Sequence, residues 1–285
     1  MKNKSIAITG HSGVIGSEFV KEFNKNRFYK CKIDITSKKK VFEWIKATDF
    51  DTFIHFAAIV PVNQVTKNKE KSYKVNFIGT KNIVDAILKY KRNKDIWFFF
   101  ASTSHVYKTE IKLKKLKETS KKVPFNYYGK LKYKAEKYVI KKLKNSRINY
   151  CIGRIFSFTH YKQKKSYFVP SIFDKLLSSK KNIIFKNVNI YRDFIHLKDL
   201  LNAIKILFKN KAVGEFNIGS GKKVNLIEII NYVKRLTKIN KKIIIEKNFS
   251  SGNLIADINK IKKFKFKPKF NFKDIIFDYY KKKKL

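Results

Sequence analysis

The sequence is poor in the residues that staple and punctuate small proteins. Its 285 residues include 2 cysteines, 4 prolines, 10 glycines and 1 methionine. Two distant cysteines, Cys31 and Cys151, exclude a disulfide framework and a cysteine-built zinc site, and they fit a reducing compartment. Acidic residues are also scarce: 21 Asp+Glu stand against 67 Lys+Arg, a formal charge of +46. Arginine occurs only at positions 27, 92, 147, 154, 192 and 235, so the other basic residues are lysines. No stretch reaches the roughly 18–20 apolar residues of a membrane span. The run Ile6-Ala7-Ile8 behind the basic start Met1–Lys4 is too short for a signal peptide. A cytoplasmic protein that does not engage a membrane is therefore expected. No His/Asp/Glu cluster suggests a metal.

What is present argues for a packed globule. Hydrophobic residues make up 44 % and aromatic residues 15 % of the chain, which excludes a disordered polycation. The length suits one large domain or two small ones. A charge of +46 invites a nucleic-acid reading. That reading is weakened because base readers favour the bidentate guanidinium, which is rare here. The lysines also run along the whole chain and form no basic arm. Abundant Lys, Asn, Ile and Phe fit a coding-composition bias. The surface is thus expected to be a solvated lysine coat that draws in anionic substrates, with no specific nucleic-acid partner.

Short apolar runs alternate with helical patterns through the first half. Strands are predicted at Ser5–Thr9, Phe28–Ile33, Thr52–Phe56, Ile96–Ala101 and Ile148–Gly153. Helices are predicted at about Val14–Asn26, Ser37–Lys46, Lys69–Lys89 and Tyr127–Lys144. This rhythm predicts an α/β fold with a doubly wound parallel sheet. After Arg154 it gives way to helices at Phe168–Ser179, Leu197–Lys209, Asn225–Thr237 and Phe272–Lys282. Short strands are predicted near Ile183–Phe185, Asp193–His196, Glu215–Ile218 and Ile243–Glu246, and the run Lys281–Lys284 as a frayed helix end. The expected organisation is a nucleotide-binding domain over residues 1–155 and a smaller mixed α/β lobe over 156–285, sharing one core.

The first strand runs into Thr9-Gly10-His11-Ser12-Gly13-Val14-Ile15-Gly16. Gly10, Gly13 and Gly16 suit a tight turn, backbone approach to a pyrophosphate and close packing of helix on strand. The helix N-terminus then offers unpaired N–H groups to phosphate. With a strand before it and a helix after it, this loop reads as a dinucleotide site, NAD or NADP.

Tyr128 and Lys132 are four apart on a predicted helix and share a face. A tyrosine that moves a proton at a carbinol or carbonyl oxygen needs its pKa brought from about 10 towards 7, worth roughly 4 kcal/mol. A neighbouring ammonium and a nicotinamide cation can supply that. Such a pair alone is weak evidence in a chain with 15 tyrosines and so many lysines. The predicted fourth strand, however, leads into Ala101-Ser102-Thr103-Ser104-His105-Val106-Tyr107, which sets hydroxyls at the carboxyl edge of the sheet, where open α/β folds bind ligands.

These motifs resemble the extended short-chain dehydrogenase/reductases of the nucleotide-sugar epimerase/dehydratase family, from about Ser5 to Asp278. The three-glycine spacing, the segment leading to Val106-Tyr107 and the pair Tyr128/Lys132 carry the match. So do His55-Phe56-Ala57-Ala58, Asp34-Ile35, Asn76 in its N-x-x-G-T helix motif, Glu136, Arg192-Asp193-Phe194-Ile195-His196 and Asn217-Ile218-Gly219-Ser220-Gly221. The resemblance implies a Rossmann-type fold and a catalytic set of Thr103, Tyr128 and Lys132. It implies cofactor contacts at Gly10, Gly13, Ile15, Gly16, Asp34, Ile35, Ala57, Ala58, Asn76, Tyr128, Lys132 and Phe156. It places substrate at Thr103, Ser157 and Arg192, with Arg154 as a second basic residue near an anionic substrate. It also implies a nucleotide-sugar substrate and a homodimer formed by the Asn76 and Tyr128 helices.

The chain departs from the family pattern in places. No separate acid closes the second strand, so Asp34 serves either adenine or ribose, while Lys30 and Lys32 favour a 2′-phosphate. Leu131 replaces the usual serine, Lys108 a glycine, and Ser157 an asparagine. Sugar 4,6-dehydratases place Asp-Glu after the hydroxyl residue, whereas here Ser104-His105 follows Thr103, which disfavours elimination of water. His105 is either a second acid/base or a loop histidine bonded to backbone. His11 and His160 read as loop residues. The expected activity is epimerisation or ketoreduction at a sugar carbon, usually C4. The alternatives are a dinucleotide-sensing regulator on the same fold and a dehydratase.

Overall fold

The computed structural model describes residues 4–60, 62–246 and 252–283. Met1–Asn3 and Lys284, included in the readings of the two chain ends, lie outside the described residues. In chain order the elements begin β1 (Ser5–Thr9), α1 (Val14–Glu22), β2 (Arg27–Lys30), α2 (Lys38–Ala47), β3 (Thr52–His55), α3 (Val62–Lys67) and α4 (Lys69–Tyr73). A π-helical turn (Lys74–Gly79), α5 (Thr80–Lys91), β4 (Ile96–Thr103), a 3-10 turn (Ser104–Val106), β5 (Lys115–Leu116), α6 (Tyr127–Leu143) and β6 (Ile148–Ile155) follow. Then come α7 (Phe168–Leu177), β7 (Asn182–Lys186), β8 (Tyr191–Arg192), α8 (Leu197–Lys209), β9 (Gly214–Ile218) and β10 (Val224–Asn225). The chain continues through α9 (Leu226–Thr237), β11 (Lys242–Glu246), β12 (Ile255–Ala256), α10 (Asn259–Lys262) and α11 (Phe272–Lys283).

The chain forms two compact units, residues 1–106, 124–154 and 203–216, and residues 107–123, 155–202 and 217–285. The first is built on a six-stranded sheet of order β2-β1-β3-β4-β6-β9. The pairs β1/β2, β1/β3 and β3/β4 are parallel, as the strand–helix alternation predicts. Its central strands are apolar on both faces because helices cover both. On one face α2, α5 and α6 bury Val41, Ile45, Ile83, Val84, Ile87, Ala135 and Val139 against Phe53, Phe98 and Phe100. On the other, Phe19 of α1 meets Phe28 and Phe56, while Phe208 of α8 meets Phe23 and Trp97. Strand order reverses around β1, so the crevice that binds ligands in such sheets opens at its carboxyl end.

In the second unit α7, α9 and α11 pack around Ile183, Phe185 and Phe194. Strands β7/β11 and β5/β12 pair in parallel and β8/β10 antiparallel. Asn225 caps α9 by accepting from the Ile227 N–H at 2.9 Å.

Some predicted ends shift, as where α1 stops at Glu22 and β2 at Lys30, and two predicted elements differ in kind. The long helix at Lys69–Lys89 is instead α3, α4, a π-helical turn and α5, reaching from Val62 to Lys91 with a break at Asn68. Asn68 caps α4 with its side chain, accepting from the Lys71 N–H at 3.0 Å, so it restarts the helix rather than continuing it. The strand at Asp193–His196 is not formed. The ladder residues there are Tyr191 and Arg192, and Phe194 makes only an isolated bridge to Ser157. The Asp193 main chain still bonds the Leu254 carbonyl and the Ser157 N–H, at 3.1 and 3.0 Å, while its carboxylate accepts from the N–H groups of Ser220, Gly221 and Ala256.

Candidate active site

The glycine loop is as tight as its residues allow. Gly10 has φ +69°, and a Cβ on it would lie 2.5 Å from the Ala57 nitrogen. A Cβ on Gly16 would lie 2.1 Å from the Gly10 carbonyl oxygen, so only glycine lets α1 start this close to β1. The Gly13 N–H closes the turn on the Gly10 oxygen at 3.1 Å. No side chain caps α1 and no acid stands in its first turn, which leaves its first N–H groups and its positive dipole end for an anion. His11 Nδ1 is buried without a hydrogen-bond partner. Burial, with Lys30 and Lys32 nearby, holds the His11 ring below the usual histidine range. A bare helix start, a Cβ-free cradle and an orphaned ring nitrogen fit a bound dinucleotide.

Behind the loop stands a relay that the sequence reading missed. The Ala57 N–H donates to Thr9 Oγ1 at 3.3 Å, and Thr9 Oγ1 meets His55 Nδ1 at 2.6 Å. His55 Nε2 meets Thr80 Oγ1 at 2.9 Å, and that hydroxyl donates to the Asn76 carbonyl at 3.2 Å. These roles leave one consistent assignment, a neutral His55 protonated on Nε2. Full burial, with Lys132 nearby, pushes its pKa down to about 3. Asn76 bonds the main chain of Ile59 with both ends of its amide, at 2.8 and 2.9 Å. It therefore holds the loop after β3, where Ala57 and Ala58 are half-buried. Asp34 accepts from the Thr36 N–H and hydroxyl, both at 2.9 Å, and these bonds lower its pKa. The Ile35 side chain fills the space that Gly79 leaves in the π-helical turn.

Thr103 ends β4, Tyr128 is the second residue of α6, and Lys132 lies one turn on; all three are buried. Asn126 caps α6, accepting from the Gly129 N–H at 2.8 Å. Thr103 Oγ1 accepts from the His105 N–H at 3.3 Å, and the Tyr128 ring stands edge-on to the His105 ring at 5.8 Å. Lys132 Nζ sits 4.0 Å above the Phe100 ring. Burial pushes its pKa down to about 7, against the pull of Glu136.

Glu136 accepts from Arg154 Nε and a terminal guanidinium nitrogen at 3.2 and 2.9 Å, and from the Ser102 hydroxyl. Arg154 was expected near an anionic substrate. It is instead 2 % exposed, and its charge balances the buried Glu136. Nothing in one sequence pairs an arginine on β6 with a glutamate on α6, whereas an asparagine two residues ahead of Tyr128 is itself a local signal for a helix cap.

Phe156, Ser157 and Arg192 belong to the second unit. Phe156 is buried, and its N–H bonds the Ile218 carbonyl at 2.9 Å. The Ser157 main chain bonds Asp193 and Ile195 at 3.0 and 2.8 Å. One Arg192 nitrogen donates to the carbonyls of Tyr191 and Gly252 at 3.0 and 2.7 Å, and burial lowers its pKa to about 10. Among the described residues there is no cluster of His, Cys, Asp and Glu able to hold a metal and no helix long and apolar enough to cross a membrane.

A model of the NAD dependent epimerase/dehydratase family matches residues 6–219. The chain is 28 % identical to the UDP-glucose 4-epimerase of Mycoplasma genitalium, over 96 % of this chain and 94 % of that one. Its fold is similar to that of the Thermotoga maritima UDP-glucose 4-epimerase solved with UDP-glucose, with a TM-score of 0.85 and 20 % identity over 99 % and 100 % of the two chains. It is also similar to that of RMD from Pseudomonas aeruginosa complexed with NADPH, with a TM-score of 0.86 and 18 % identity over 98 % and 100 %.

Proposed function

The chain belongs to the NAD dependent epimerase/dehydratase family, and on that premise we propose that it is an NAD(P)-dependent nucleotide-sugar epimerase or ketoreductase acting at C4 of a UDP-hexose. The observation that carries this reading is the buried set of Thr103, Tyr128 and Lys132 on β4 and α6, with Lys132 poised near neutrality. The relatives named UDP-glucose 4-epimerase support the substrate class.

Gly10, Gly13, Ile15 and Gly16 would hold the pyrophosphate, Asp34 and Ile35 the adenosine end, and Ala57, Ala58, Asn76 and Phe156 the surroundings of the nicotinamide half. The bound dinucleotide supplies a hydride acceptor and donor. Tyr128 takes the proton from the sugar hydroxyl in oxidation and returns it in reduction. Thr103 shares that proton's hydrogen bond, and Lys132 stabilises the phenolate and bonds the ribose. Ser157 and Arg192, in the second unit, take the nucleotide diphosphate. Ser104-His105 after Thr103 supplies no acid pair for elimination, so this reading stops short of dehydration.

Positioned proton transfer is worth about 10²–10⁴-fold. Tyr128→Phe is expected to fold, bind NAD(H) and lose at least that much turnover with UDP-glucose; near-native turnover would sink the mechanism. A thermal-shift screen of UDP-, dTDP- and GDP-sugars with each cofactor ranks the substrates by mass action. We also infer a homodimer built on the helical segment that holds Asn76 and on α6, which holds Tyr128; light scattering at micromolar concentration tests it, and a monomer there refutes it.

A further inference from the structure

His105 touches both halves of the candidate active site. Its N–H donates to Thr103 Oγ1 at 3.3 Å, and its ring meets Tyr128 edge-on, at 5.8 Å and 78°. Its carbonyl sits where a Cβ on Gly129 would be 2.2 Å away, so the 3-10 turn docks on α6 only because position 129 is glycine. The other side of the ring lies 5.1 Å from Phe125.

The neighbouring amide decides the tautomer. Asn126 Oδ1 accepts from the Gly129 N–H at 2.8 Å, so the other end of that amide is the –NH₂ group. That group lies 2.8 Å from His105 Nδ1. An –NH₂ only donates, so Nδ1 accepts, and the ring proton sits on Nε2. One asparagine thus satisfies an otherwise unpaired helix N–H and sets the protonation of the ring beside the tyrosine.

We propose that Asn126 and His105 are positioning residues for the reaction, a clamp that fixes the hydroxyl turn of Thr103 against the helix of Tyr128 and holds His105 as the Nε2–H tautomer. The hydrogen bonds run in one direction, from Gly129 N–H to Asn126, from Asn126 to the His105 ring, and from His105 N–H to Thr103. With Thr103 Oγ1 accepting from the main chain, its own proton stays available to donate to the sugar oxygen. His105 thereby acquires a role that neither a general acid/base nor an ordinary loop histidine has. The inference rests on the proposed epimerase or reductase reaction.

Asn126→Asp is the informative variant, because the carboxylate keeps the helix cap and loses the donor to Nδ1. It is expected to keep a near-native melting temperature, to bind NAD(H) and UDP-glucose within about twofold of the parent, and to lose kcat by ~10- to 100-fold, the scale set by small misplacements of reacting groups. Nitrogen-15 spectra of histidine-labelled protein, resolving 5 histidines, are expected to show His105 as Nε2–H in the parent and protonated on Nδ1 in the variant. An Nδ1–H tautomer in the parent, an unchanged tautomer in the variant, or an unchanged kcat overturns the clamp. Tyr128→Phe, measured alongside, separates the two readings: if it is inactive while Asn126→Asp is fully active, only the clamp falls, and if it keeps its turnover the reaction assignment falls.

Discussion

Glu136 lies one turn beyond Lys132 on α6, yet its carboxylate is bonded to Arg154 at 2.9 Å and to the Ser102 hydroxyl. The carboxylate is therefore already balanced when it faces the lysine. Burial then outweighs its attraction, and the ammonium is left with a pKa of about 7 over the face of Phe100. A pair buried to 2 % and 0 % exposure is thus tied to the protonation of a neighbour that the proposed chemistry uses.

Arg154→Met should expose that dependence. Removing one partner of a buried ion pair typically costs 3–5 kcal/mol, because the other charge stays buried. Urea unfolding is expected to show a loss of that order. Glu136 would then draw on Lys132, so the proton on Lys132 should be held to higher pH. A parent-like midpoint would show that the pair contributes little.

Two buried bases should make apo stability rise with pH in adjacent windows. His55 is held near 3 when folded, against 6.5 unfolded, so the unfolded chain binds the extra proton between those values. Stability is full above 6.5 and falls as pH drops towards 3, by up to about 5 kcal/mol. Lys132 is held near 7 against 10.5 unfolded, so its burial cost is complete below pH 7 and is relieved between 7 and 10.5. Lys132→Met is expected to raise apo stability at pH 7 and to flatten the slope above it. A melting profile of the variant that is parallel to the parent's would contradict this.

Gly16→Ala tests the cradle. An added Cβ would fall 2.1 Å from the Gly10 oxygen, a backbone atom that cannot swing aside. The loop must shift, and the expected result is a loss of NAD(H) affinity of tenfold or more by calorimetry, with UDP-glucose binding little changed.

His55→Leu should cost stability without touching the proton path. It leaves the buried Thr9 hydroxyl proton without the ring acceptor at 2.6 Å, while Thr80 loses the ring at 2.9 Å but still donates to the Asn76 carbonyl. At about 1–3 kcal/mol for a buried group left unpaired, a loss of that order in denaturant unfolding is expected.

Much of this protein was legible in the sequence because the signals are local. Strand–helix alternation reflects burial on both faces of a sheet, so the fold class and the boundaries of helices such as Leu197–Lys209 followed from pattern alone. The glycines of the loop and the pair Tyr128/Lys132 could be read because turn sterics and helical periodicity act over a few residues. The interruption at Asn68 could not, since it follows from a side-chain bond to the Lys71 N–H that restarts the helix, and neither could the isolated bridge of Phe194 to Ser157, which depends on a segment distant in sequence. Only the tertiary structure brought Arg154 to Glu136, Thr9 to His55 and Asn126 to His105, because each joins residues on different elements. Burial is likewise a property of the fold. In one sequence Lys132 is one lysine among many in a chain of charge +46; enclosed beside Phe100, it is a lysine whose pKa is brought down to about 7.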